Sequence, residues 1–295
     1  MENIGGQAVI EGVMMKSRKG WTVAVRGPKG EIHVKKELLK DISIVLKLPL
    51  MRGITALYQA LSLGIKAIEF SARKAFEGEN EKPSSSLTLS LTMVAAIILG
   101  IAVFILLPLY ATKLLGMVFP SVSESSLLFN FIDGIIRIIF FLSYLALVGM
   151  WKEMRKVFEY HGAEHKVIHA YESKKDLTLQ KVKDYSPRHP RCGTSFLLIV
   201  MVVSILTFSL IPQDWSFTIK FLSRLILIPA IAGLSFEFLK LSSKMRNNPL
   251  MKLFIQPGLL LQRLTTREPN DSQIEVAIRA LEELLIIEET DVRKT

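Results

Sequence analysis

Four of the five histidines and the single cysteine of this 295-residue chain fall between Trp151 and Gly193. The first part of that stretch reads Tyr160-His161-Gly162-Ala163-Glu164-His165-Lys166-Val167-Ile168-His169-Ala170-Tyr171-Glu172. Wound as a helix at about 100° per residue, it brings His161, His165, His169 and Glu172 within roughly 80° of arc. His161 and His165, one turn apart, can reach one metal ion. His161 to Glu172 spans about 16 Å of axis, too far for all of them to share it. His161, Glu164 and His165 also spell H-x-x-E-H, the inverted zinc-peptidase pattern in which two histidines hold zinc and the glutamate activates water. A polar helix face whose histidines meet only water, headgroups or carboxylates has the same spacing, so the pattern alone leaves both readings open.

The second part, Pro187-Arg188-His189-Pro190-Arg191-Cys192-Gly193-Thr194-Ser195, is a basic loop held extended by two prolines. His189 and Cys192 are candidates to complete a metal shell, and Arg188 and Arg191 suit an anionic group such as a phosphate. Against this, arginines just ahead of a membrane span are what orientation alone demands. Thr194 and Ser195 lack a base arranged to make them nucleophiles. Glu237, near the end of an apolar stretch, is a further candidate ligand or base, or else the partner of Lys240 or a nearby arginine. His33, beside Lys35, reads as solvated.

The elements that must position these residues are dominated by lipid-compatible helices. Half of the residues are hydrophobic, and they gather in four runs near the roughly 20 residues needed to cross hydrocarbon. The runs are Leu87 to Tyr110, Leu127 to Met150, Thr194 to Ile211 and Phe217 to Leu239. Trp151, Trp215 and Tyr110 stand at their ends, where amphipathic rings prefer the headgroup layer. Residues 1–86 carry 14 Lys and Arg, residues 151–193 carry 10 and residues 240–295 carry 9, whereas 111–126 has Lys113 alone. The positive-inside rule then predicts cytoplasmic N- and C-termini and a cytoplasmic histidine segment. Within the spans, Asp133 and Arg137 are spaced to pair, because isolated charges in lipid are costly.

The net charge of +10 is accounted for by this orientation. No long basic arm, zinc finger or RNA-recognition signature points to nucleic acid. One cysteine excludes an internal disulfide, and Met1 to Val13 lacks the basic-then-apolar pattern of a cleaved signal peptide.

Residues 1–40 predict a small cytoplasmic β unit. Trp21-Val23-Val25 and Ile32-Val34 alternate across the turn residues Gly27-Pro28-Lys29-Gly30, so they read as a hairpin, with Gln7 to Ile10 as a possible third strand. Residues 41–80 predict an amphipathic helix in the membrane interface or packed on the spans. Its apolar positions Leu50, Ile54, Leu57, Tyr58, Leu61, Ile65 and Ile68 oppose the polar stripe Arg52, Gln59, Lys66 and Arg73. Two transmembrane pairs, 87–150 and 194–239, flank the histidine segment 151–193. A C-terminal helical region, 240–295, includes an acidic amphipathic helix from Asn270 to Asp291 expected to pack on the protein's own basic surface. The fold class is thus a mainly α membrane protein with four transmembrane helices, an interfacial helix and a small N-terminal β hairpin unit.

Three motifs carry a resemblance. Gly5-Gly6-Gln7-Ala8-Val9-Ile10-Glu11-Gly12-Val13-Met14-Met15, Tyr160 to Lys166, and Arg188 to Phe196 resemble, in the same order, the motifs of the YqhQ family. These are bacterial multi-pass membrane proteins classed as a domain of unknown function and described as predicted metal-dependent enzymes. The resemblance covers nearly the whole chain and implies the bacterial cytoplasmic membrane. It also implies that Glu11 belongs with the site, since the N-terminal motif places a carboxylate on the cytoplasmic side. It supplies no substrate.

The expectation is a membrane-embedded, metal-dependent enzyme, a hydrolase at the cytoplasmic surface. His161 and His165 bind zinc or a similar divalent transition metal, with His169, Cys192, His189 or Glu237 completing the shell. Glu164 is the general base, and Arg188 and Arg191 orient an anionic lipid-linked or peptide substrate. The alternative is a non-enzymatic scaffold or transporter whose loop binds a partner. The expected partners are membrane lipids, a membrane protein or a second copy of the chain.

Overall fold

The computed structural model describes residues 4–40, 43–77, 86–190, 192–212, 214–244 and 249–292. Near the N-terminus four strands, β1 (Gly5–Val9), β2 (Gly12–Lys16), β3 (Gly20–Arg26) and β4 (Ile32–Leu38), form an antiparallel sheet in sequence order. The predicted hairpin is β3–β4, with Val25 opposite His33. Gly30 takes φ 91° in its turn, a backbone region that glycine enters without steric cost. The expected strand at Gln7 to Ile10 is β1. β2 is an addition: both of its faces are covered, so the alternation that betrays a half-exposed strand is absent.

The two faces of the sheet have different partners. Val13, Met15 and Ala24 join Ile274, Ala277, Leu281 and Leu284 of α11 (Asp271–Val292) and Ala163 and Val167 of α6 (Lys152–Glu172) in one core. Val9, Met14, Trp21, Val23 and Val25 pack instead on Leu63 and Ala67 of α1 (Met51–Ala75). Three members of the polar stripe of α1 meet other elements, while Arg73 is exposed and pairs with Glu69 of its own helix. Arg52 binds Glu237, Gln59 accepts from Lys16 at 2.8 Å, and Lys66 lies 3.7 Å from Glu37. The large apolar residues Tyr58, Leu61, Ile65 and Ile68 point outward.

The remaining elements are helices: α2 (Ser86–Ile101), α3 (Leu107–Val118), α4 (Pro120–Glu124), α5 (Ser126–Val148), the short α7 (Leu179–Lys183), α8 (Gly193–Phe208), α9 (Phe217–Lys244) and α10 (Pro249–Thr265). Among the described residues, three helical stretches are long and apolar enough to cross a membrane: Leu91–Val118, Ser126–Val148 and Phe217–Leu241. The first extends past the expected end at Tyr110. A π segment, Ala102–Leu106, joins α2 to α3 just before Pro108. Proline lacks an N–H and crowds the carbonyl four residues back, and widening the helix accommodates both. The expected third span, Thr194 to Ile211, is the shorter α8, which stops at Ser209 ahead of Pro212.

Candidate metal centre

α5 and α6 are separate helices. Gly149 caps α5, and Trp151 leaves helical geometry at ψ 138° before Lys152 starts α6. This break turns the histidine helix away from the α5 axis and against the sheet, α11 and the segment after α10. The last approach needs a glycine: a Cβ on Gly162 would lie 2.0 Å from the carbonyl oxygen of Arg267. The loop 184–192 returns alongside α6, fixed by a reciprocal pair in which the His189 N–H donates to Gln262 Oε1 and Gln262 Nε2 donates to the His189 carbonyl, both at 2.8 Å.

Backbone carbonyls set the histidine tautomers. His161 Nδ1 lies 2.8 Å from the Thr265 oxygen, and His165 Nδ1 lies 2.7 Å from the Pro187 oxygen. A carbonyl only accepts, so both Nδ1 atoms donate and both Nε2 atoms present lone pairs. His161 Nε2 sits 3.2 Å from Cys192 Sγ. His165 Nε2 is buried and has no hydrogen-bond partner among the described residues. These two nitrogens and the Cys192 sulfur all lie within 4.8 Å of one another. Tetrahedral zinc with its usual Zn–N and Zn–S lengths separates such donors by roughly 3.3–3.6 Å, so the widest pair need close by no more than about 1.5 Å. A ring held by Nδ1–H on a carbonyl while Nε2 faces its neighbours is also the usual outer-shell pattern of a metal-binding histidine.

Glu164 Oε2 lies 3.7 Å from His165 Nε2 and 3.9 Å from His161 Nε2. Burial pushes its carboxyl up to about 8, against the smaller opposing pull of His161. Burial also holds His165 well below the ordinary imidazole value and raises the Cys192 thiol. A bound cation would reverse the sense of both carboxyl and thiol shifts.

His169 and His189 extend the cluster as a row of rings without joining the three donors. Their centroids are 4.4 Å apart, and His189 is 5.8 Å from His165. His169 Nε2 donates to the Arg188 carbonyl at 3.0 Å, and His189 Nε2 lies 3.3 Å from Glu172. Arg191 lies outside the described residues, and Arg188 lines a surface groove beside the loop. Glu237 is placed elsewhere. Arg52 clamps both of its oxygens, and the Leu50 N–H donates to it at 3.2 Å, an arrangement that stabilises Leu50 at φ 67° ahead of α1. Glu11 is also engaged away from the three donors, with Lys156 at 2.8 Å and the Tyr160 hydroxyl at 3.3 Å. The N-terminal motif meets the cluster through Gly6 instead. Its N–H bonds Glu164, and a Cβ there would lie 2.7 Å from Glu164 Cγ. Sequence reasoning missed Gly6, Thr265 and Gln262. Two of them act through backbone atoms, which leave no side-chain signature, and the third binds backbone.

Fold and site together define a class: a set of apolar helices carrying a sheet-and-helix module, with a histidine–cysteine cluster where the two join. The chain belongs to the family described as protein of unknown function DUF1385, whose profile matches residues 48–286. It is 37% identical over 302 residues to "Uncharacterized protein YqhQ" of Bacillus subtilis (strain 168), an alignment covering 96% of this chain and 92% of that protein. No solved structure matches it. The resemblance carried by the three motifs is therefore a family relationship, and neither name speaks of a metal or a reaction.

Proposed function

We propose that this chain is a membrane-embedded, metal-dependent hydrolase working at the cytoplasmic face of a bacterial membrane. His161, His165 and Cys192 hold a divalent transition metal, zinc by donor type. The observation that carries this reading is His165 Nε2. A buried nitrogen lone pair left without a partner costs about 1–3 kcal/mol; this one has none among the described residues and faces the His161 nitrogen and the Cys192 sulfur. A metal of this kind supplies Lewis acidity and lowers the pKa of water. Glu164 sits within reach of the same donors and takes or returns a proton at Oε2. Gly6 orients that carboxylate, and the buried surroundings limit competing water.

The placement in the membrane is part of the proposal. Four crossings, with α8 as the short one, put both termini and α6 on the side that the Lys and Arg counts favour. The outward Tyr58, Leu61, Ile65 and Ile68 of α1, over an inner face of small and polar residues, support contact with lipid. Helices of this kind also leave room for a membrane partner or a second copy.

The test is metal content. Wild-type protein purified without chelators should hold close to one transition-metal ion per chain. His161→Ala, His165→Ala and Cys192→Ser should each lose most of it, because removing one donor of three or four weakens a site sharply. Glu164→Gln should keep the metal, as should His33→Ala on β4, where the His33 ring lies 3.2 Å from Glu31. A wild-type protein that carries no metal and takes up none on titration sinks the enzyme reading and leaves a membrane scaffold.

A further inference from the structure

The chain from Pro187 to His189 has two sides. One serves the histidines: the Pro187 carbonyl holds His165, and the Arg188 carbonyl accepts from His169. The other borders a shallow, open groove of about 440 Å³ lined by Pro187, Arg188, Arg263, Thr266, Arg267 and Glu268. None of its three guanidiniums has a carboxylate partner among the described residues. Arg267 is held at the end of α10 by donating to the carbonyls of Arg263 and Thr266 at 2.7 and 3.4 Å. The one acid, Glu268, is engaged by Lys166 at 2.5 Å, and Lys166 itself is buried and anchored on the Lys183 carbonyl at 2.8 Å. Elsewhere on the same module Arg26, Lys36, Lys156 and Lys183 each meet an acid within 3.0 Å. The groove thus collects positive charge that the fold does not neutralise.

We infer that this groove binds a phosphate group and so anchors a phosphate-bearing substrate beside the metal centre. The anchoring half of that statement rests on the reading above; the binding half does not. Guanidinium is the side chain best matched to phosphate, since its planar fork bonds two oxygens at once and keeps its charge. Three of them around an open groove suit a terminal phosphate monoester, whose oxygens face more than one side. A single carboxylate would engage one. Two sources present this chemistry, a lipid headgroup and a soluble phosphoester. Both can reach the groove, because α10 packs on α8 and α5 and ends at the groove itself.

Full-length protein in phosphatidylcholine nanodiscs is titrated with inorganic phosphate and with glycerol 3-phosphate. In a second arm phosphatidic acid replaces part of the phosphatidylcholine, and retained lipid is counted by native mass spectrometry. Saturable binding is expected in at least one arm. The combined Arg188→Gln, Arg263→Gln and Arg267→Gln variant should weaken it about tenfold or more, the scale of lost charge-assisted hydrogen bonds. Arg155→Gln, which removes the same charge from α6, should leave it unchanged. Binding in the first arm alone assigns a soluble phosphoester, and binding in the second alone assigns a headgroup. A melting temperature equal to wild type certifies the arginine variant as folded; if it does not fold, the exposed single changes Arg188→Gln and Arg263→Gln carry the test. Cys192→Ser should lose metal and keep phosphate binding, so a failed metal reading removes only the anchoring role. Absence of binding in both arms, binding that the arginine variants retain, or an equal loss in Arg155→Gln overturns the inference.

Discussion

Asp133 and His165 are both about 1% exposed, yet the groups around them are completed in opposite ways. Around Asp133 each oxygen has its own guanidinium, Arg224 at 2.9 Å and Arg137 at 2.8 Å. Arg224 also donates to Asn130 at 3.0 Å and Arg137 to Ser204 at 3.4 Å, and both cations lie over the Phe208 ring at 5.1 and 5.0 Å. Both carboxylate oxygens meet a donor, and three helices are tied together, although the Nε atoms of Arg137 and Arg224 stay buried without a hydrogen-bond partner among the described residues. Around His165 the Nε2 lone pair has no hydrogen-bond partner among the described residues, while a second ring nitrogen and a sulfur converge on it. A buried charge network whose members satisfy one another behaves as a structural clamp, whereas converging lone pairs are the chemistry of a ligand site. Burial alone does not distinguish them; the balance of donors and acceptors does.

The comparison breaks most sharply at Asp133. Asp133→Asn leaves two buried guanidiniums without their carboxylate and should cost about 3–5 kcal/mol, the usual penalty for removing one member of a buried ion pair. Thermal unfolding in detergent reads that loss, while metal per folded chain should match wild type. Metal lost from a variant of unchanged melting temperature would show that the two clusters are one system.

A smaller effect of opposite sign is expected at Glu164 in protein stripped of metal by a chelator. Its folded-state pKa of about 8 exceeds the ordinary 4.5, so the folded chain keeps a proton that the unfolded chain has released. The stability it contributes is therefore full below pH 4.5 and is lost as pH rises toward 8. His165, held well below its ordinary 6.5, acts from the other end, with its contribution present above 6.5 and lost as pH falls. Gln has no proton to release. The advantage of Glu164→Gln over wild type should open above pH 4.5 and level off near 8, at a few kcal/mol. A stability difference that does not change with pH would refute the buried, protonated carboxyl.

The smallest change belongs to Glu237. Its ion pair with Arg52 is partly exposed, and water screens such pairs until they contribute little to stability. Glu237→Gln should shift the melting temperature slightly and leave metal content untouched. Metal loss on this change would return Glu237 to the ligand shell.

Parts of this were legible in the sequence for stated reasons. Helical spacing put His161 and His165 on one face, the four-residue step paired Asp133 with Arg137, and Gly27 to Gly30 marked the β3–β4 turn. Relations between distant segments were not legible. Arg224 completes the Asp133 network from 91 residues away, and no local pattern announces it. The break at Gly149 to Trp151 contains no proline, so the sequence allowed a straight helix that would have carried His161 away from Cys192. Thr265 acts through a carbonyl that any residue could supply, and the need for glycine at position 6 arises only where Glu164, distant in sequence, packs against it. Glu11, the conspicuous acid of the N-terminal motif, drew the reading away from the glycine five positions earlier.

The sheet has a consequence for how the chain comes to be made. Thr22 of β3 donates to the Ala280 carbonyl of α11 across 258 residues. Synthesis at about 5–20 residues per second separates the two by roughly 10–50 seconds. Throughout that interval the face bearing Val13, Met15 and Ala24 lacks the α11 part of its cover while the apolar helices are being inserted. Translation of the final helix, rather than insertion of the first, is then the event that closes the module and locks Gly6, His161 and Thr265 into one place.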